Sequence, residues 1–385
     1  MFKNRFKILL VFILTSFFFT SAFRLYAESI GEKKLNNTAI DLTYSEMEDK
    51  FANNVFITKD NEFKVIVEKD LELENLISLC KKQGIKFGLA LGGGSARGLA
   101  HVGVILVLEA YKIPIDLIAG TSIGSVIGSL YASGASIKQL EEAALSIKKS
   151  KTLLMLDPTF PHSGLISGDR IEKMLNKLAL ENKTFRDLII PFAAVATELE
   201  NGAEVIIDQG KLIDAVRASI SIPGIFTPVK FKDYYLVDGG VVNPVPADVA
   251  QTMGADIIIA VNLSRINPYV PTLKLNMDDI SLEVSKRSDE EDESRLKRKI
   301  NQLKSTFERP SIFEIINQSI DIMEAKITEH SLEEADIVII PFGIKDIKTL
   351  DFDEAELIIK GGIMATLINI PNIKEAIKEK LEEKK

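Results

Sequence analysis

From residue 86 onward the chain alternates short apolar runs with longer stretches of helical spacing. Phe87-Gly88-Leu89-Ala90-Leu91 is apolar throughout and ends in Gly92-Gly93-Gly94, the pattern of a buried strand entering a glycine turn. Residues 99–108 then read as an apolar helix. Asp116-Leu117-Ile118-Ala119 is a second short strand, closed by Gly120, and residues 123–131 return to helical spacing. Further strands are expected over 192–197, 204–207, 235–237, 256–261 and 336–340, with helical segments between most of them. Strands alternating with helices predict an α/β fold, a three-layer α/β/α sandwich around a largely parallel central sheet.

The flanks read differently. Lys3, Arg5 and Lys7 precede a nearly unbroken apolar stretch over 8–23, and Leu25-Tyr26-Ala27 offers a cleavage site. Residues 1–27 are therefore expected to be a signal peptide or an N-terminal membrane anchor, giving an exported or anchored protein. Residues 28–85 form an extension without readable chemistry, with a weak strand pattern over 62–67 and helical spacing over 71–82. The core is placed at 86–270, a charged insertion at 271–310 and the rest of the catalytic domain at 311–385. Within the insertion, Asp289-Glu290-Glu291-Asp292-Glu293 is flanked by basic residues, the composition of a solvated, mobile segment.

Composition narrows the chemistry. Forty-seven Lys+Arg against 55 Asp+Glu give a net charge of −8, which argues against a nucleic-acid partner that works by neutralising phosphates. Removal of residues 1–27, with four basic and no acidic side chains, takes this to about −12. The single cysteine, Cys80, excludes a disulfide framework and reads as a buried, inert thiol. Three histidines (His101, His162 and His330) make a histidine-built metal centre improbable.

Two motifs remain. Gly120-Thr121-Ser122-Ile123-Gly124 matches G-x-S-x-G and lies between a strand and a helix, the context of a nucleophile elbow. Gly120 and Gly124 remove side chains that would clash in so sharp a turn, and Ser122 stands at a helix N-terminus. Gly92-Gly93-Gly94-Ser95-Ala96-Arg97-Gly98 also follows a strand and opens a helix. It misses the dinucleotide fingerprint, because Gly98 comes one residue late, and it lacks the Gly-Lys-Ser/Thr of a P-loop. A triglycine before a helix does supply backbone N–H groups for an oxyanion hole.

A serine needs a proton acceptor. His101 follows the glycine loop as a packing or hydrogen-bonded residue, His162 sits in a loop, and His330 lies near a helix end. Asp238, in Val237-Asp238-Gly239-Gly240, ends a strand, so its carboxylate is expected to emerge at the sheet edge in a tight turn. Histidine keeps a second arrangement open, a Ser122–Asp238–His330 triad in hydrolase order. A non-catalytic exported lipid-binding module is the reading from another class.

The glycine loop with Arg97 and Gly98, the G-T-S-I-G elbow and the D-G-G of Asp238, Gly239 and Gly240, in this order, resemble the patatin-like phospholipase family, especially its bacterial branch. Ala218-Ser219-Ile220-Ser221-Ile222-Pro223 also resembles a stretch that bacterial members carry. The resemblance covers roughly residues 86–262 and implies a Ser–Asp dyad, Ser122 as nucleophile and Asp238 as base. It implies an oxyanion hole from Gly92, Gly93 and Gly94, with Arg97 orienting the loop, meeting a lipid phosphate or pairing with a carboxylate. The expected substrate is a phospholipid or another lipid ester met at a membrane surface. No metal and no other cofactor is implied, and no carboxylates stand at calcium-loop spacing.

Overall fold

The computed structural model describes residues 55–57, 62–146, 166–264, 312–349 and 351–384. The signal or anchor region, His162 and the charged segment 286–299 lie outside them. A small antiparallel pair, β1 (Val55–Ile57) and β2 (Phe63–Val65), precedes helix α1 (Leu71–Gln83). Then follow β3 (Phe87–Leu91), α2 (Ala100–Ala110), β4 (Leu117–Thr121), α3 (Ile123–Ala132), α4 (Ile137–Ser146) and α5 (Asp169–Leu175). The second half holds β5 (Phe192–Glu198), β6 (Glu204–Ile207), α6 (Leu212–Ser219), β7 (Val229–Phe231), β8 (Tyr234–Asp238), α7 (Ala247–Thr252) and β9 (Ile257–Val261). Helix α8 (Ile312–Ser331), β10 (Ile337–Ile339) and α9 (Ala355–Glu383) complete the described chain.

Five strands run parallel in the order β10-β9-β3-β4-β5. Each of β3, β4 and β9 is buried at every position, which is why their sequences are apolar without alternation. Their side chains still divide by parity. Leu89, Leu91, Ile118, Ile257 and Ile259 face a large core filled by α2, α3 and α9. Ala90, Ala119, Ala193 and Ala260 face a second core closed by α7. The expected three-layer α/β/α sandwich is what the chain forms, and the α7 side of the sheet is lined by small alanines together with Leu117, Val195 and Ile258.

The remaining strands depart from a purely parallel sheet. β6 and β8 both pair antiparallel with β5, and β7 pairs with β8 as a hairpin. Ala194 pairs with both β4 and β6, and Ala196 with both β6 and β8. A strand residue has only two neighbours, so β6 occupies one edge of β5 while β4 and β8 share the other. The two meet there end to end: Thr121, the last residue of β4, pairs with Val195, and Asp238, the last of β8, pairs with Ala196. Strand β7 was not expected from the sequence, since Val229–Phe231 carries no buried face to betray it.

The stretch expected to be an extension joins the domain from residue 62 onward. Phe63, Leu73, Cys80 and Ile85 are buried in the same core as β3 and α2. Helix α1 starts on Asp70, whose carboxylate accepts from Leu73 N–H at 3.0 Å, and lies against α9. Lys374 of α9 bridges Asp70 at 3.0 Å and Glu72 at 2.7 Å. These pairs are partly exposed and add little; the buried apolar side chains hold the contact. Cys80 is a free, buried thiol whose pKa burial raises, as its reading as an inert residue required.

Leu73→Ala tests this attachment. Loss of a side chain 1% exposed is expected to lower global stability by about 2–5 kcal/mol in denaturant titration. A loosely attached extension would leave the midpoint unchanged.

Candidate active site

The elbow is built by strain and close approach. Ser122 has φ 53° and ψ −124°, a conformation L-residues avoid and hold only where their surroundings fix it. A Cβ on Gly120 would come within 2.7 Å of Gly124 backbone, and one on Gly124 within 2.0 Å of the Leu91 carbonyl oxygen. Both elbow glycines are therefore required by contact with backbone, which cannot yield. The turn lifts the Ser122 hydroxyl off the end of β4 at the N-terminus of α3.

Because β4 and β8 end against each other on β5, the hydroxyl meets Asp238 directly. Ser122 Oγ donates to Asp238 Oδ2 at 2.7 Å, and both residues are buried, 6% and 4% exposed. Asp238 thus ends β8 in a tight turn, as its Asp-Gly-Gly sequence predicts, with its side chain buried. Its other oxygen, Oδ1, accepts from Gly240 N–H at 2.8 Å. Burial pushes its pKa up to about 6, against the opposing pull of the Ser122 and Gly240 hydrogen bonds. Its main chain is also pinned: Asp238 N–H donates to the Ser221 carbonyl at 3.0 Å, and Thr197 Oγ1 donates to the Asp238 carbonyl at 2.8 Å.

The Ala218–Pro223 stretch acquires a physical role here. Ser219, fully buried at the end of α6, accepts from Ser122 N–H through its hydroxyl at 2.9 Å. Ser221 holds the Asp238 amide. One short segment therefore braces both members of the pair. Arg217 in turn ties Ser221, Ser167 and Thr227 together through its guanidinium and lies over the Phe226 ring at 5.6 Å.

The glycine loop separates into two parts. Gly92 N–H donates to the Val261 carbonyl at 3.1 Å and Gly93 N–H to the Pro244 carbonyl at 2.9 Å. Both amides anchor the loop and are not available to a ligand. The Gly94 and Ser95 amides have no partner among the described residues, and both residues line the same cavity as Ser122 and Asp238. Gly94 has φ 155° and Ser95 φ 52°, so the loop is held in an unusual conformation where these amides lie.

Arg97 is 3% exposed and reaches across the sequence to α8, where Nη2 donates to Asp321 at 3.1 Å. Its Nε and Nη1 are buried without a partner. Asn317, Ile320, Asp321 and Glu324 of α8 form the far wall of the cavity. The sequence reading missed these residues. Their spacing of i, i+3, i+4 and i+7 is the one signal that could have found them. Glu324 lies over Gly240, its Oε1 2.3 Å from where a Cβ there would be. Burial, then the charges of Asp238 and Asp321, raise its pKa to about 8, with Arg97 opposing.

Neither described histidine is a partner of the Ser122–Asp238 pair. His101 is fully buried, with Nε2 2.8 Å from the Gly92 carbonyl, and burial lowers its pKa to about 4, so it is a neutral donor bracing the loop. His330 is on the exposed surface of α8, paired with Glu333 and apart from the residues around Ser122. The geometry therefore does not assemble the Ser122–Asp238–His330 triad. Among the described residues, no group of three or more His, Cys, Asp or Glu is placed to hold a metal ion.

Comparison with known proteins bears on the same residues. Residues 89–250 match the family model of patatin-like phospholipases. Over 185 residues the chain is 37% identical to patatin-like phospholipase domain-containing protein 6 of Homo sapiens, a match covering 47% of this chain and 13% of that protein. It is 36% identical to patatin-like phospholipase domain-containing protein 7 of Mus musculus, covering 47% and 14%. An NTE family protein of Mycobacterium bovis is 37% identical over 183 residues, covering 46% of this chain and 49% of that one. The matched stretch is thus a small part of the mammalian relatives and about half of the mycobacterial one. Among solved structures, VipD from Legionella pneumophila aligns over 85% of this chain and 70% of its own at 13% identity, with a TM-score of 0.40.

A buried carboxylate whose folded pKa is raised binds protons more tightly in the folded state, so it opposes stability at neutral pH and ceases to as pH falls below its unfolded value near 4. Asp238→Asn is therefore expected to unfold at a higher temperature than the wild type at pH 8, by on the order of 1–3 kcal/mol in stability. The gain should shrink as pH falls from 6 to 4. An equal or lower melting temperature at pH 8 would contradict the burial cost assigned to Asp238.

Proposed function

We propose that this chain, whose residues 89–250 match the family model of patatin-like phospholipases, is a serine lipid acyl hydrolase that cleaves ester bonds of phospholipids or lysophospholipids through a Ser122–Asp238 dyad. The observation that carries the reading is the 2.7 Å hydrogen bond from a strained elbow serine to a buried carboxylate in one cavity. Ser122 Oγ attacks the ester carbonyl as its proton passes to Asp238 Oδ2. The raised basicity of Asp238 makes this transfer less uphill than to an ordinary carboxylate.

The tetrahedral oxyanion is received by the free amides of Gly94 and Ser95, helped by the N-terminus of α3. Gly92 and Gly93 act by holding that loop in place. The protonated Asp238 returns its proton to the leaving alcohol, leaving an acyl group on Ser122. Water, activated by the same carboxylate, then releases the fatty acid. Arg97 stands beside this cavity with two unused donors, suited to an anionic part of a lipid. The reading includes export or anchoring through residues 1–27 and action at a membrane surface. The apolar N-terminal stretch and the lipid substrate class support it.

Ser122→Ala and Asp238→Ala are each expected to lose at least about 10³-fold in turnover of an aryl or phospholipid ester. His330→Ala should keep full activity, and a fluorophosphonate probe should label Ser122 alone. Failure of the probe, or turnover by Ser122→Ala, would favour the non-catalytic lipid-binding reading.

The pH profile follows from the two carboxyl groups. Turnover should fall as pH drops through about 6, because protonated Asp238 cannot accept the serine proton. It should also fall above about 8, where ionised Glu324 places a second negative charge near the developing oxyanion. In Glu324→Gln the alkaline limb should disappear while the acid limb stays. A profile unaltered by that change would separate Glu324 from catalysis.

A further inference from the structure

The β7–β8 hairpin carries aromatic side chains on both of its faces, Phe231 and Tyr234 on one and Tyr235 on the other, that the proposed chemistry leaves unused. Phe231 and Tyr234 pair across its tip and are 55% and 52% exposed; Tyr235 is 42% exposed. Leu199, 50% exposed, adjoins them on the turn after β5, where its N–H donates to the Tyr235 carbonyl. Two lysines frame the rings: Lys230 Nζ stands 5.9 Å from the Tyr235 ring centre and Lys232 Nζ 5.3 Å from that of Phe231. Asp233 is the one acidic residue of the tip.

Topology places this hairpin at the working end of the molecule. β3, β4, β5 and β9 are parallel, and the elbow and glycine loop leave their C-terminal ends. β8 runs the opposite way, so its first residues project outward past the end of β5, where Glu198 pairs with Leu236. The tip is then about 13 Å of strand from Asp238. No internal packing explains three large exposed aromatics there.

We propose that the β7–β8 hairpin is the surface by which the domain seats itself on a phospholipid bilayer, with Phe231, Tyr234 and Tyr235 entering the interfacial layer and Lys230 and Lys232 meeting lipid phosphates. This deepens the lipid-ester reading above and rests on it. Aromatic rings with a polar or cationic rim fit the headgroup region, which is apolar below and charged above. The lysines supply the local positive charge that a chain with net charge −8 does not supply as a whole. The same geometry turns the C-terminal end of the sheet, and with it the cavity of Ser122, toward the lipid.

The chain has no tryptophan, so a single substitution gives a local reporter. Phe231→Trp in the full chain is mixed with vesicles of equimolar phosphatidylcholine and phosphatidylglycerol. Its emission is expected to shift to the blue and to be quenched at least about twofold by brominated acyl chains. Ile189→Trp, 75% exposed just before β5 and hence at the opposite end of the sheet, should show neither change. An unshifted spectrum for Phe231→Trp, or equal shifts for the two variants, would overturn the proposal even if the N-terminal stretch binds the vesicles.

A second measurement compares substrates. Phe231→Asp combined with Tyr234→Asp should lose about tenfold in hydrolysis of vesicle lipid and keep its rate on a soluble short-chain ester. Equal losses on both substrates would assign the hairpin to the fold instead. The fluorescence needs no turnover, so an inactive protein with an inserting hairpin would sink the hydrolase reading and leave this one standing.

Discussion

Everything at the site depends on two strands that stop where they do. β4 and β8 approach each other from opposite directions along one edge of β5 and end on adjacent residues, Val195 and Ala196. A backbone alignment thereby fixes the distance between a serine and a carboxylate 116 positions apart in the chain. Side-chain flexibility has little to do with it. The hydrogen-bond ladder of β5 sets the register, and the Ser219 hydroxyl and Ser221 carbonyl hold the two ends in place. Such an arrangement is pre-organised, with hydroxyl and carboxylate already in hydrogen-bond contact.

The same alignment creates an electrostatic burden. Two carboxyl groups, Asp238 and Glu324, and the Arg97–Asp321 pair share a small, poorly solvated space. Burial drives both carboxyl pKa values upward, and Arg97 offsets the charge only in part. That cost falls on the dyad proposed above, where a stronger base would be useful, a common relation between strained, desolvated groups and function. Helix α8 is the element that completes this environment, because it carries both Asp321 and Glu324.

What was legible in the sequence follows from how local each signal is. Ser122, Gly120 and Gly124 declare themselves because an elbow needs its residues within one turn. The parallel strands do so because burial on both faces leaves unbroken apolar runs. The partition of the glycine loop was not legible: which amides are spent depends on the Val261 and Pro244 carbonyls, more than 150 residues away. Glu324 and Asp321 were hidden because an acidic stripe on an amphipathic helix looks like a solvated face. The burial of Asp238 was not legible either, since an Asp-Gly-Gly turn gives no sign that another strand ends against it. β7 escaped because its residues face water.

Consider, finally, the order in which a ribosome delivers these parts. Phe87 of β3 pairs with Ile257 of β9, and the α2 helix behind the glycine loop packs on α9, still farther downstream. Contacts of such long range form late, after most of the loop-closure entropy has been met. The elbow serine is thus synthesised long before its base, its brace and its supporting helices exist. A growing chain exposes an ordinary serine, and the hydrogen bond from Ser122 to Asp238 exists only once the sheet has closed, so the fold itself would time the onset of the proposed activity.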